Sequence, residues 1–183
     1  MLQAQHQRFL DLLDAEYVRL ERFALSLTRN RADAKELIAE TIAVCLERIE
    51  SIEHDGAFLS YLFSVASRTF YKQKSKRQRM HISDPQSLPE LYAGGVSADD
   101  AYDIQLLYDA IDKLPDSYRE IFIMAELLGF SHKEIQEVKG VSIANIKVRI
   151  YRSKFLLRKH LGVQQKGAEE NDSPALSSTA LLY

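Results

Sequence analysis

The chain has no tryptophan, one cysteine, four prolines and seven glycines in 183 residues. Each shortage excludes something. The lone Cys45 cannot form an internal disulfide, which fits a reducing compartment. His6, His54, His81, His132 and His160 are scattered, without cysteine or carboxylate partners at ligand spacing, so no metal and no cofactor is expected. A glycine-rich phosphate loop and a nucleophile motif are both missing, so no catalytic residue is nominated and no enzymatic activity is expected. No apolar run approaches the ~18 residues of a membrane-spanning helix. The opening MLQAQHQRFL lacks the basic and apolar regions of a secretion signal, so a cytoplasmic protein without membrane insertion is expected. With few helix breakers and no strand-like alternation, strong helix formers dominate, and the fold class is all-α.

What is present is ordinary in bulk and uneven in placement. Hydrophobic residues make up 46% and charged residues 27%, a soluble globular balance. The formal net charge is only −2, yet acidic and basic residues are segregated along the chain. From Val141 to Ala168 there is no acid at all, while Lys147, Arg149, Arg152, Lys154, Arg158 and Lys159 accumulate.

The apolar spacing predicts two small helical bundles joined by a flexible linker. In the first, residues 1–80, a helix from about Gln5 to Thr28 carries the stripe Phe9, Leu13, Tyr17, Leu20, Ala24 and Leu27. A second helix starts near Asp33, with Asp33 and Glu36 as a capping pair. It buries Leu37, Ile38, Thr41, Ile42, Cys45, Leu46 and Ile49. After a loop from Ser51 to Gly56, a third helix begins near Ala57 and ends in the basic tract Arg68, Lys72, Lys74, Lys76, Arg77 and Arg79. Residues 81–103 hold Pro85, Pro89, Gly94 and Gly95 with several acids, the composition of an extended acidic linker. Residues 104–162 make the second bundle, with Ile104, Leu107, Ile111 and Leu114 on one helix and Tyr118, Ile121, Phe122, Met124 and Ala125 on the next, after Pro115. Residues 163–183 are polar until their end and read as a disordered tail.

Within the second bundle, Ser131 and Glu134 have the spacing of a capping box. Gly140 stands where a left-handed residue ends a helix, and Ser142 offers a new N-cap. A short helix, a glycine turn and a longer helix make a helix-turn-helix. On the longer helix Ile146, Ile150, Leu157 and Leu161 point to a core. Ala144, Lys147, Val148, Tyr151, Arg152 and Phe155 face away, and Asn145 and Arg149 lie at the border. Arginine and lysine pair with guanine edges or phosphates, asparagine with adenine, and apolar side chains with the thymine methyl. In the first bundle, aromatic and cationic residues interleave: Phe63, Phe70 and Tyr71 with Arg68, Lys72 and Lys74. Exposed, such rings stack on unpaired bases at ~1–3 kcal/mol each; buried, they are core, which is the reading favoured for Phe58 and Tyr61.

The chain resembles the bacterial sigma-70 family, in its extracytoplasmic-function (ECF) subgroup. The motifs are Leu114-Pro115, Tyr118-Arg119-Glu120, Gly129-Phe130-Ser131, Glu134-Ile135, Gly140-Val141-Ser142 and Lys147-Val148-Arg149-Ile150-Tyr151-Arg152, with Ala34 to Ile38 and Phe58 to Ala66 matching more loosely. The resemblance implies a polymerase specificity subunit that binds core RNA polymerase at its clamp and flap and directs it to promoter DNA. It assigns −35 contacts to Ser142, Asn145, Lys147, Val148, Arg149, Tyr151 and Arg152. Contacts and melting at −10 fall to Phe58, Tyr61, Arg68, Phe70, Tyr71, Lys72, Lys74, Lys76 and Arg77. The clamp-facing surface falls to Glu36, Ala39, Glu40 and Ala43. An anti-sigma factor is a further candidate partner. The pattern departs at Tyr61, Arg68 and Lys72, where the family has tryptophan, asparagine and a polar or acidic residue, and at Glu36 and Ala39, where it has Asp and Gln. Two other readings remain beside it: a sigma-like protein that binds a regulator without initiating, and a simple dimeric helix-turn-helix regulator.

Overall fold

The computed structural model describes residues 2–52, 54–80 and 98–162, and the described residues fold into seven α-helices. They are α1 (Leu2–Thr28), α2 (Arg31–Glu47), α3 (Gly56–Arg79), α4 (Ala98–Asp112), α5 (Asp116–Phe122), α6 (His132–Lys139) and α7 (Ile143–His160). A 3-10 turn, Ile49–Ser51, follows α2, and a π-helical turn, Ile123–Leu127, extends α5. Helices α1 to α3 pack as one bundle and α4 to α7 as a second. The expected tail and most of the expected linker lie outside the described residues; residues 98–103, expected as linker, are the first turns of α4. Asp99 and Asp100 suit that place, because acids favour the positive end of a helix.

Local chemistry explains where the helices start and stop. The N-cap of α2 is Asn30, whose side chain accepts from the amides of Ala32 and Asp33. This corrects the expected Asp33–Glu36 capping pair: Asp33 instead takes a two-point bond from Arg77 of α3, at 2.6 and 2.5 Å. The capping box of α6 is present in full. The Ser131 hydroxyl accepts from the Glu134 amide at 3.2 Å, and the Glu134 carboxylate accepts from the Ser131 amide at 2.7 Å. Gly140 ends α6 with φ of 65°, in the left-handed region that an L side chain enters at a cost of ~1–2 kcal/mol. A Cβ there would meet nothing within 4 Å, so backbone strain, not crowding, selects the glycine.

Two stripe assignments change. Tyr17 is exposed; beside it Glu16 binds Arg19, which reaches across to α6. Leu161 is also exposed, and the fully buried Ser153 lies on the core side of α7 along with Ile146, Ile150 and Leu157. Its hydroxyl donates to the Tyr118 carbonyl at 3.5 Å, so a small polar residue fits where α7 meets α5.

The bundles do not stand apart; α3 of one packs on α6 of the other. Phe63 is fully buried, edge-on to Phe23 at 5.4 Å and to Phe130 at 4.8 Å. Such ring pairs add ~0.5–1.5 kcal/mol each beyond area burial. The Arg19 guanidinium lies 3.8 Å over Phe130 and bonds Glu134 at 2.9 Å. Ser60 and Ser64 donate to the carbonyls of Glu137 and Val138, at 3.0 and 2.7 Å, satisfying acceptors that a helix end leaves open. Arg29, 2% exposed, donates to Asp109 and Asp112 at 2.7 Å each.

Two consequences are measurable. Burial alone would raise the Glu134 carboxyl, but the bonds from Ser131 and Arg19 hold it below its ordinary 4.5. A carboxylate depressed on folding adds stability above its unfolded pKa and loses it as pH falls through the folded value. Urea unfolding should therefore show wild type more stable than Glu134→Gln at pH 7, with the gap closing as pH drops below 4.5. Burial pushes the Cys45 thiol up to about 12, with Arg68 pulling weakly the other way. Cys45 should resist maleimide in the native protein and react at once in denaturant.

Candidate nucleic-acid interface

The helix-turn-helix presents its second helix as the sequence pattern requires. The Ser142 hydroxyl accepts from the Asn145 amide at 3.3 Å and fixes the start of α7. Ile146 and Ile150 are buried, which turns Asn145, Lys147, Val148, Tyr151 and Arg152 outward, all exposed, with Arg149 half-buried between them. Tyr151 is 73% exposed, a large apolar ring with no core role. The face therefore mixes cations, an amide and apolar groups over the first three turns of one helix, the chemistry of base edges and phosphates in a major groove. Sequence spacing placed Tyr118 on the apolar side of α5 and gave no hint that its phenol oxygen accepts from Arg152 at 3.3 Å and steadies it. Lys154, by contrast, is engaged with Glu126 at 2.8 Å.

A second surface lies on α2 and α3. Val44, Arg48, Tyr61, Val65, Arg68, Thr69 and Lys72 line an open cleft of about 400 Å³. Tyr61 is half-buried in it, while Arg68 and Lys72 are exposed. The Arg68 Nε donates to the Ser64 carbonyl at 3.2 Å. The cleft pairs a ring with three cations, a composition that can stack a base and hold its phosphates. Arg48, at the end of α2, was missed because nothing in the sequence shows that α2 and α3 converge there. Arg8 of α1 was missed too: it bonds Asp55 and the Ile52 carbonyl, at 2.8 and 3.0 Å, and so tethers the segment leading into α3.

Several expected −10 residues are not available in this arrangement. Phe58 is buried edge-on against Phe9 at 5.9 Å, and Phe70 is buried beside Tyr71 at 5.1 Å. The Tyr71 phenol donates to the Asp116 carbonyl at 3.3 Å; burial first, then Glu120 and Asp116, hold its pKa well above the ordinary value. Lys74 bonds Asp116 at 3.1 Å, and Arg77 is held by Asp33. These side chains face the core or the other bundle because α3 is covered on both of those sides. Of the nine expected there, Arg68, Lys72 and Lys76 are exposed, and the half-buried Tyr61 lines the open cleft.

A third surface is a strip on α2. Glu36, Ala39 and Ala43 are exposed in register, with Glu40 half-buried between them and accepting from Gln73 at 2.8 Å. Among the described residues no group of histidine, cysteine and carboxylate side chains could hold a metal, and no helix is long and apolar enough to cross a membrane.

Residues 12–80 match the family model for sigma-70 region 2, and residues 104–154 match that for sigma-70 region 4. The ECF RNA polymerase sigma factor SigM of Bacillus subtilis is 30% identical over 75% of this chain and 85% of its own length. The chain belongs to the ECF sigma factors. The sigma factor SigV of Bacillus subtilis is 27% identical over 75% of this chain and 81% of its own length. EcfG of Rhodopseudomonas palustris is 28% identical over 82% of each chain. In three dimensions this ECF sigma factor is similar to RpoE of Bartonella quintana, solved in complex with the anti-sigma factor NepR. The TM-score is 0.63 and the identity 27%, over 87% of this chain and 98% of that one. As a sigma factor it binds RNA polymerase and promoter DNA and serves transcription initiation, with region 4 as its helix-turn-helix.

The α7 face gives a direct test on duplex DNA carrying the −35 element. Arg152→Ala and Lys147→Ala should each weaken binding about tenfold, the order of one lost base or phosphate contact. Tyr118→Phe, which only frees Arg152, should cost less; fluorescence anisotropy at fixed salt measures all three.

Proposed function

We propose that the exposed face of α7 reads the −35 element, with Lys147, Val148, Tyr151 and Arg152 at base edges and Arg149 near phosphate. The observation that carries this is the turning out of these residues by a helix whose opposite side is buried at Ile146, Ile150, Ser153 and Leu157. The cleft between α2 and α3 takes an unpaired base of the −10 element, stacked on Tyr61 and held by Arg48, Arg68 and Lys72. Arginine at 68 brings a charged planar donor, so the preferred −10 base differs from that of family members with an amide there. The α2 strip of Glu36, Ala39, Glu40 and Ala43 meets the polymerase clamp. Residues 1–80 thus act as the polymerase and −10 unit, and residues 104–162 as the −35 unit, in a cytoplasmic, non-enzymatic subunit. An anti-sigma factor is the natural regulator, given that RpoE of Bartonella quintana was solved with one.

The decisive experiment adds the purified protein to core polymerase with a genomic promoter set. Promoter-specific run-off transcripts are expected. Tight binding to a regulator with no polymerase association would instead favour a non-initiating mimic. Arg68→Asn should change which −10 sequences are used and leave −35 preference intact.

A further inference from the structure

Two helix faces keep apolar side chains in solvent. On α7, Ala144, Val148, Tyr151 and Phe155 are all exposed and recur at i, i+4, i+7 and i+11. They form one seam, nearly opposite the buried Ile146, Ile150, Ser153 and Leu157. Phe155, 56% exposed, lies past the first three turns, and no base contact assigned to α7 uses it. Lys147 and Arg158 flank the seam on one side, Arg152 and Lys159 on the other, all exposed, and α7 holds no acid.

The second face is on α1. Leu10, Asp14, Tyr17 and Glu21 recur there at the same spacing, with Val18 beside them. Leu10, Tyr17 and Val18 are 46%, 41% and 57% exposed, so the core of the first bundle does not use them. The acids of this face are Asp11, Asp14 and Glu21, with Arg22 as a cation at its edge. Steps of four, three and four are those of helices that pack along a shared seam at a small crossing angle. A carboxylate inside such a seam is costly unless the opposing helix brings a cation. The α7 face brings four. Like cannot pair with like: two α7 faces would crowd cations, and two α1 faces would crowd carboxylates. Within one chain both faces point to solvent, so their meeting takes two chains.

We propose that this chain self-associates, with the acidic α1 face of one copy lying along the basic α7 face of a second copy. A two-fold pair makes the contact twice, once in each direction, which closes the assembly at a dimer. Each contact engages only about three turns of each helix, so the interface belongs to the small, transient class. It forms reversibly and weakens as salt screens the charges. The dimer covers Val148, Tyr151 and Arg152, so self-association and −35 reading exclude each other. That exclusion rests on the assignment of the α7 face to the −35 element; the self-association does not, and the test separates the two.

Sedimentation velocity on the full chain over a wide concentration range should show the mass climbing from 20.9 kDa toward twice that value, and falling back as salt is raised. Asp14→Lys with Glu21→Lys should weaken association at least about tenfold, and so should Arg158→Glu with Lys159→Glu. Mixed together, the two variants should pair about as tightly as wild type, because each basic face then meets an acidic one. Circular dichroism checks that both are folded; Phe155→Ser, a single exposed change, should give a similar loss and decides the point if a reversed face misfolds. A wild type that stays at 20.9 kDa at every concentration would overturn the proposal. A dimer that neither reversal weakens, or that mixing does not restore, would place the contact elsewhere and overturn it too. A monomeric wild type whose duplex binding strengthens on Glu169→Gln with Glu170→Gln would give the α7 face to the chain's own acidic segment instead. Duplex carrying the −35 element should split the dimer to one chain per duplex, and a dimer that takes up duplex intact refutes the α7 contact. If duplex never binds, the −35 reading fails, and the mixing measurement still decides the dimer.

Discussion

Arg29 is the constraint on which the arrangement of the molecule depends. A non-glycine residue in the left-handed region carries ~1–2 kcal/mol of strain, and a buried charge without partners costs several kcal/mol. Both costs are met at one residue, because the turn between α1 and α2 aims the side chain at Asp109 and Asp112. Burial would lower the pKa of this arginine, but the bonds to Asp112 and then Asp109 outweigh it and hold the guanidinium above its ordinary value. The same turn places Asn30 to cap α2. One residue thus fixes both the angle of α2 on α1 and the seat of the second bundle on the first.

From that seat the faces of each helix are allotted. On α3, the side toward α1 and α2 is core and the side toward α6 is junction, and the cleft side, with Tyr61, Arg68 and Lys72, meets solvent. On α2 the strip from Glu36 to Ala43 is left free. On α7 the inner side packs on α5, and the outer side keeps its cations and Tyr151 in the open. The ECF sigma factor therefore presents three separate open surfaces on one compact body. The ion pairs consumed within it, Arg77 with Asp33 and Lys74 with Asp116, remove cations that would otherwise count toward nucleic-acid binding.

Much of this was legible in the sequence. Helix positions follow from apolar spacing and from caps, which act over three or four residues; the Ser131–Glu134 box and Gly140 were readable because their partners are neighbours in the chain. The α7 face was legible for the same reason: a helix with one buried side has its other side defined. Misassignments fell where partners are distant. Phe70 is the same residue type whether it stacks on bases or is buried where α3 folds in, whereas Phe58, read as core, is buried against Phe9. Asp33 has the spacing of a cap but meets Arg77, 44 residues away.

The sequence by itself determined an all-α chain, its helix boundaries to within a few residues except at the start of α4, the helix-turn-helix with the outward residues of its second helix, and the family. Those properties depend on local geometry and on the period of the helix. Only the tertiary structure decided that the bundles pack on each other, that Arg29 and Arg19 bond acids of the second bundle, and that Arg48 joins the cleft. Those outcomes depend on which side chains meet across long separations, and no local period encodes such meetings.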